Sequence, residues 1–271
     1  MCLFLYMLLY GLFACADDWK RHWLVLTVIF HRHLEAGFGS LFCCLKGVVM
    51  NRDFLVAMLP EYIEAAKLTL AIGLIGVVGS VLVGLILALI RVEKVPVLNG
   101  LAKAYIEISR NTPLLIQLFF LYFGLPKAGI VLSSEACAIV GLIFLGASYM
   151  AESFRSGIEA VDVRQIEAAM AIGLTKYQRI RHVVLPQALA IAMPSIGANT
   201  IFLLKETSVF SAVALADLMY VAKDLIGLYY ETDEALLLLV LFYLVILVPV
   251  AVVFSLLERR MRRGIGTSAI A

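Results

Sequence analysis

The stretch LTLAIGLIGVVGSVLVGLILALI, from Leu68 to Ile90, holds 23 residues without a formal charge and is bounded by Lys67 and Arg91. About 20 apolar residues at about 1.5 Å of rise each cross the hydrocarbon core of a bilayer as an α-helix, so this stretch reads as a transmembrane span. Ala235 to Leu257 repeats the pattern over another 23 uncharged residues between Glu234 and Glu258. Three shorter runs, Pro113 to Pro126, Ala136 to Ala151 and Gln187 to Leu204, hold 14, 16 and 18 uncharged residues. Each must borrow flanking residues to cross, which a buried position in a helix bundle makes tolerable. The expectation is an all-α integral membrane protein with five spans.

Composition agrees. Of 271 residues, 63% are hydrophobic and 15% charged, against about 45–50% and about 25% in a soluble domain. There is too little polar surface to wrap a globule of this size in water, and the same excess excludes disorder. A net charge of +2 gives no reason to expect a nucleic-acid partner. Within the first span, Gly76, Ser80 and Gly84 recur every four residues and so share one helix face, where a second backbone can come close. The glycines at 73, 76 and 79 are no nucleotide fingerprint, because no strand precedes them.

Charge placement sets the expected orientation. Arg91, Lys94, Lys103 and Arg110 lie between the first two spans; Arg155, Arg164, Lys176, Arg179 and Arg181 between the third and fourth; Arg259, Arg260, Arg262 and Arg263 after the fifth. Those 13 basic residues face only three in the opposite loops, Lys127, Lys205 and Lys223, beside an acidic stretch from Asp217 to Glu234. The C-terminus, including a tail over 264–271, and the long third-to-fourth loop are therefore expected in the cytoplasm.

Residues 1–49 differ in composition from the body over 50–263. They hold four of the five Cys, three of the four His and both Trp. They read as an N-terminal extension, and three readings stay open: a short extra span from Met1 to Ala16, a segment on the lipid surface, or a chain whose true start is Met50. His31 and His33 with Cys43 and Cys44 fit no common metal spacing, so no metal is expected, and Cys137 alone in the remainder implies no disulfide framework.

The most specific string lies in the third-to-fourth loop: Glu167-Ala168-Ala169, three residues, Gly173, nine residues, Val183, one residue, Leu185-Pro186. Glu167 to Ile172 favours helix, Gly173 permits a reversal, and Thr175 to Val184 forms a second, basic helical stretch before Pro186 opens the next span. The two arms make a knob projecting from the membrane. This string resembles the EAA signature of permease subunits of ABC importers, with Val183 in place of Ile. Ser109-Arg110-Asn111-Thr112-Pro113-Leu114-Leu115-Ile116-Gln117 and Lys205-Glu206-Thr207-Ser208 are similar to stretches of the polar amino acid branch, the histidine, glutamine, glutamate and arginine type.

That resemblance implies a type I permease core of five helices, with Glu167, Ala168, Ala169, Gly173, Leu185 and Pro186 coupling it to an ATPase subunit. No Gly-Lys dipeptide occurs, so the chain carries no phosphate loop of its own. ATP is then bound and hydrolysed by a partner, and the chain itself is no enzyme and needs no cofactor. Five spans are few to enclose a polar pathway, so a second permease subunit, identical or a sister, is expected. An external amino-acid-binding protein would deliver solute. The implied setting is a bacterial inner membrane, with lipid around the spans.

Polar groups at membrane depth mark the expected solute route: Gln117, Asn199, Thr200, Lys205, Glu206, Thr207 and Ser208. Glu206 and Lys205 could hold the ammonium and carboxylate of an amino acid, or pair with each other. Pro194 could free a carbonyl. The cargo reads as a polar amino acid, with the glutamine, glutamate or aspartate type ahead of the basic type. The competing classes are a secondary transporter, for which no internal duplication is seen, and a membrane enzyme, for which no catalytic constellation appears.

Overall fold

The structure is a computed structural model that describes residues 51–264, with side chains as far as Met261. The extension over 1–49 and most of the tail over 264–271 lie outside the described residues. Lipid offers no partner to backbone N–H and C=O groups, so a chain this apolar must satisfy them within its own helices. Accordingly α1 covers Arg52–Val92, α2 Leu98–Asn111, α3 Leu114–Phe119, α4 Ser134–Glu159, α5 Val163–Ala171, α6 Lys176–Arg179, α7 Leu185–Glu206, α8 Leu218–Tyr229 and α9 Thr232–Gly264. No strand occurs among the described residues.

Two junctions are wider than an α-helix. A π turn over Phe120–Gly124 and a 3-10 turn over Leu125–Ala128 prolong α3, and a π turn over Ile180–Val184 joins α6 to α7. Each π turn runs into a Leu-Pro pair, Leu125-Pro126 and Leu185-Pro186. A proline has no N–H for the carbonyl four residues back, and its ring crowds that carbonyl. The widened turn, with Leu125 N–H donating to Phe120 O and Leu185 N–H to Ile180 O, carries the helix past it. Pro186 stands in the first turn of α7, as the sequence reading expected, while the π turn joins α7 to α6 in one helical run from Lys176 to Val213. Pro194 is likewise passed without a break.

Among the described residues, four helical runs are long and apolar enough to cross a membrane: Arg52–Val92, Ser134–Glu159, Lys176–Val213 and Thr232–Met261. The fifth expected span corresponds to Leu114–Ala128, whose length of about 22 Å falls short of a hydrocarbon core of about 30 Å. The segment between the first two spans is not a simple loop either. It contains α2, which lays Ala102, Ile106 and Ser109 against α4, with Tyr105 Oη and Ser109 Oγ both donating to Phe144 O at 2.7 and 2.8 Å.

The central helix is α4, packed against α1, α2, α3 and α7. Its closest partner is α1, whose Gly76, Ser80 and Gly84 are all buried on the facing side. A Cβ on Gly84 would lie 2.6 Å from Met150 Cβ and 2.9 Å from Ala147 O, and one on Gly76 would meet the Leu142 side chain. From the other side Gly146 of α4 admits Ser80 and Leu203. Around this contact Ile72, Leu118, Leu142, Met150, Leu203 and Phe210 form the main apolar core.

Charged residues gather the helix ends. Glu152 is held by Arg91 at 3.3 Å and by Arg155 at 2.6 Å, Arg155 also reaches Glu159 at 2.6 Å, and Lys176 reaches Glu93 at 3.0 Å. The ends of α1 and α4 and the start of α6 thus share one side. On the other side Asn51 N–H donates to Glu234 Oε1 at 2.9 Å and Tyr62 Oη to Ala235 O at 2.7 Å, tying the start of α1 to the start of α9. There the first turns of α1, which extend beyond Leu68, pack Phe54, Tyr62 and Ala65 against Leu218, Ala222 and Leu225 of α8.

Asp217 caps α8 at this second core, its Oδ1 accepting from Tyr220 N–H at 3.0 Å, while its Oδ2 has no hydrogen-bond partner among the described residues. Burial pushes its carboxyl up from 3.8 to about 6, against the opposing pull of backbone N–H groups and Lys223.

Two outcomes follow from this packing. Gly84→Ala should destabilise the chain by about 1–3 kcal/mol, because the atoms it meets include α4 backbone. Gly100→Ala, with nothing within 4 Å, should stabilise it slightly through helix propensity; thermal unfolding in detergent separates the two signs. Because the folded chain holds the Asp217 proton more tightly than an unfolded one, its stability contribution is greatest below pH 4 and is lost as pH rises through 6. Asp217→Asn keeps a capping oxygen, so it should melt above the parent at pH 8, by about 1–3 kcal/mol, with the gap closing toward pH 4.

Candidate functional site

Two features stand out, a projecting loop and an open cavity. In the loop, Asp162 caps α5 by accepting from Arg164 N–H at 2.9 Å. Gly173 ends it with φ +79°, a left-handed conformation that a side chain resists. Gly173 N–H donates to Met170 O at 2.9 Å and Leu174 N–H to Ala169 O at 3.1 Å, a glycine cap of the Schellman kind. Thr175 then starts α6 with a capping box closed by Gln178.

The reversal read from the sequence at Gly173 is therefore present, but its second arm is the root of a long helix. Glu167, Ala168 and Gly173 are exposed, as are Leu185 and Pro186, while Ala169 is buried under the turn. Val163, Met170, Ile172 and Tyr177 add exposed apolar surface. His182 is the one histidine among the described residues, where no cluster of metal-ligating side chains occurs.

The cavity, about 350 Å³, lies where α2 turns into α3 and faces α4 and α7. Arg110, Asn111 and Thr112 form one wall; Tyr149 and Phe202, whose ring centroids are 5.3 Å apart, form another; Glu206 closes a third. Arg110 holds its guanidinium 5.1 Å from the centre of the Tyr149 ring. Leu145 and Tyr149 bring the middle of α4 to this cavity, and Arg110 and Glu206 the ends of α2 and α7. Arg110 lies in α2 and not in a loop as the orientation count took it, and Glu206 is the last residue of α7, whose helical run continues to Val213.

Of the seven residues expected along a solute route, Glu206 alone lines this cavity. Gln117 is buried and spans the α2–α3 corner, its Nε2 donating to Ser109 O at 3.2 Å and Thr112 O at 3.0 Å; it holds the cavity wall in shape from behind. Thr200 and Thr207 donate to Ile196 O and Leu204 O within their own helical run. Asn199 joins α7 to α4 through Ser153 Oγ at 2.8 Å. Lys205 is exposed and Ser208 half-buried, and Lys205 and Glu206 make no ion pair with each other. Tyr149 was missed by sequence reasoning because an isolated tyrosine in an apolar run carries no signal. Arg110 had one, its place at the head of the Arg110 to Gln117 string.

An all-α chain with four helical runs long and apolar enough to cross a membrane, a structured loop and a polar cavity has the features of a multi-pass membrane protein. Residues 80–263 match the family described as Binding-protein-dependent transport system inner membrane component, and the chain belongs to it. It is 36% identical over 219 residues to the Probable amino-acid permease protein YxeN of Bacillus subtilis, covering 78% of this chain and 96% of that one. It is 34% identical over 215 residues to the Probable glutamine ABC transporter permease protein GlnM of the same organism, covering 79% and 100%. The fold is similar to that in a crystal structure of an amino acid ABC transporter with histidines, with a TM-score of 0.73 and 32% identity over 79% of this chain and all of the other. The type I permease architecture and the resemblance to amino acid permeases of ABC importers are borne out.

Proposed function

We propose that this chain is the membrane-spanning subunit of an ATP-driven importer of a polar amino acid, of the glutamine or glutamate type. ATP is hydrolysed on a partner subunit that receives the Glu167 to Gly173 knob. A second permease subunit, identical or a sister, completes the pathway, and an extracytoplasmic binding protein delivers solute. The single observation that carries the reading is the continuous helical run from Lys176 to Val213, which begins at the knob and bears Glu206 in the cavity. Displacement of the knob by a closing partner moves the cavity wall with it.

Cargo chemistry is supported by the cavity's paired polarity and by relatives named for amino acids and glutamine. A cytoplasmic knob and C-terminus are supported by the basic excess at the side where α1 and α4 end. An inner-membrane location of a bacterial cell accords with both.

The test uses Gly173, whose Cβ position is open but whose φ is left-handed. Gly173→Asn, a residue that tolerates this conformation, should keep uptake within about twofold of the parent. Gly173→Ile should insert normally yet lose most uptake of labelled glutamine and glutamate, and co-purify less of the ATPase subunit. Normal uptake by a well-inserted Gly173→Ile protein, or dependence on this subunit for no amino acid, would count against the proposal.

A further inference from the structure

We infer that α8, packed between the start of α1 and the start of α9, is a latch on the extracytoplasmic side that a proton on Asp217 closes and that, when closed, restrains the long helical run over Lys176–Val213. The inference rests on the importer reading above and adds to it a means by which outside pH regulates the same subunit.

Asp217 is completely buried at the head of α8. Beside it Leu218, Ala222 and Leu225 pack on Tyr62 of α1 and Leu238 of α9, and Leu218 N–H donates to Thr69 Oγ1 of α1 at 3.1 Å. One carboxyl oxygen of Asp217 caps α8, while the other is enclosed without a hydrogen-bond partner among the described residues. The buried hydroxyl of Tyr243 on α9 is likewise without one, and it lies within electrostatic reach of that carboxyl. A carboxylate taken from water needs its charge balanced, and here half of its acceptor capacity is unmet. Closing the seam therefore favours the neutral acid. Opening it returns the group to water and releases the proton.

Lys223 of α8 and Tyr243 of α9 are the titratable groups that face Asp217, while α1 and the end of the long run bring the hydroxyls of Thr69 and Thr207. Lys223 is exposed and tempers the effect of burial without cancelling it, leaving the carboxyl at about 6 against an ordinary 3.8. The closed latch thus binds the proton more tightly than the open one. Closure is favoured fully below pH 4 and loses that support as pH rises through 6. A rise from 3.8 to about 6 tilts the closing equilibrium by up to about a hundredfold once the proton has left.

The latch grips the run at the end opposite the knob. A 3-10 segment, Thr207–Val213, ends the run, and Ala214 then turns the chain toward α8 with φ +55°. Lys223 Nζ of α8 donates to Ser211 Oγ of that segment at 3.1 Å, and Thr207 lies beside Tyr243. A run held there resists displacement by the knob, and release of α8 frees it. Uptake is therefore slow on the acid side and faster above pH 6.

The whole transporter in proteoliposomes, with ATP inside at fixed pH and the binding protein loaded with labelled glutamine outside, tests the link to transport. As outer pH rises from 5 to 7.5, uptake by the parent should increase by about threefold or more, a small part of the available tilt. Asp217→Asn keeps the cap without the charge and should stay near the parent's acid rate throughout, losing the rise that the shared binding protein could otherwise explain. Lys223→Gln keeps a donor for Ser211 and removes the cation, so its midpoint should move to higher pH. A parent without the rise, an Asp217→Asn protein that retains it, or a midpoint moved downward in Lys223→Gln overturns the regulation.

Hydrogen exchange of the α8 amides in the purified transporter reads the latch without transport. Corrected for the intrinsic pH dependence, exchange should be faster at pH 7.5 than at pH 5 in the parent and equal in Asp217→Asn. Equal protection in the parent at both pH values, or a dependence kept by Asp217→Asn, overturns the latch. If Asp217→Asn fails to assemble, the parent and Lys223→Gln decide. If no amino acid is taken up at any pH the importer reading fails, and the exchange pattern still decides the latch.

Discussion

The rest of the fold depends on how closely α1 approaches α4. In water, burial of apolar side chains would draw two such helices together, but lipid tails are as apolar as leucine, and association in a bilayer relies on close packing and interhelical hydrogen bonds. Gly76, Ser80 and Gly84 supply the first by letting the α4 backbone come within contact of α1, and Ser80 Oγ supplies part of the second by donating to Gly76 O and lying 3.3 Å from Leu142 O. With α4 fixed in the middle, α2, α3 and α7 each find a flank of it. By contrast α9 leaves most of its span exposed, as a helix facing lipid or a neighbouring subunit should.

Polar side chains within the bundle divide into two kinds. Most are satisfied locally: Thr69, Ser80 and Thr200 donate back to carbonyls of their own helix, and Ser153 bridges to Ser195 and Asn199 between α4 and α7. These sew helices together and leave nothing for a solute. The cavity differs, for Glu206 on its wall forms no salt bridge among the described residues, while Arg110 lies over the Tyr149 ring. A pathway through a membrane needs such groups, and a bundle that neutralised all of them would be a plug.

How much of this was legible in the sequence depends on which forces leave a local mark. Desolvation does, so the runs at Leu68 to Ile90 and Ala235 to Leu257 were read correctly, as was the small-residue face. Backbone conformation does where only glycine tolerates it, and Gly173 was found for that reason. Helix ends are poorly marked, because backbone hydrogen bonding continues past a charge without penalty once water or protein is near. Reading Arg91 to Arg110 as loop therefore hid α2. Its spacing of Ala102, Tyr105, Ile106 and Ser109 was available as an amphipathic helical signal. The cavity itself is a relation between three distant segments, and nothing in one sequence brings Arg110, Tyr149 and Glu206 together.

The π turn at Ile180–Val184 amounts to one surplus residue in an otherwise regular spiral. Each residue of an α-helix advances the azimuth by about 100°, so this surplus sets the compass bearing of the knob relative to Glu206 in the cavity. The bearing is locked by Pro186, whose ring forbids the ordinary turn one step earlier. The Leu-Pro pair thus acts as an indexing pin, fixing the angle of the knob about the long helical run. A chain that lost a residue there would keep its long run and its cavity but present the knob on another face.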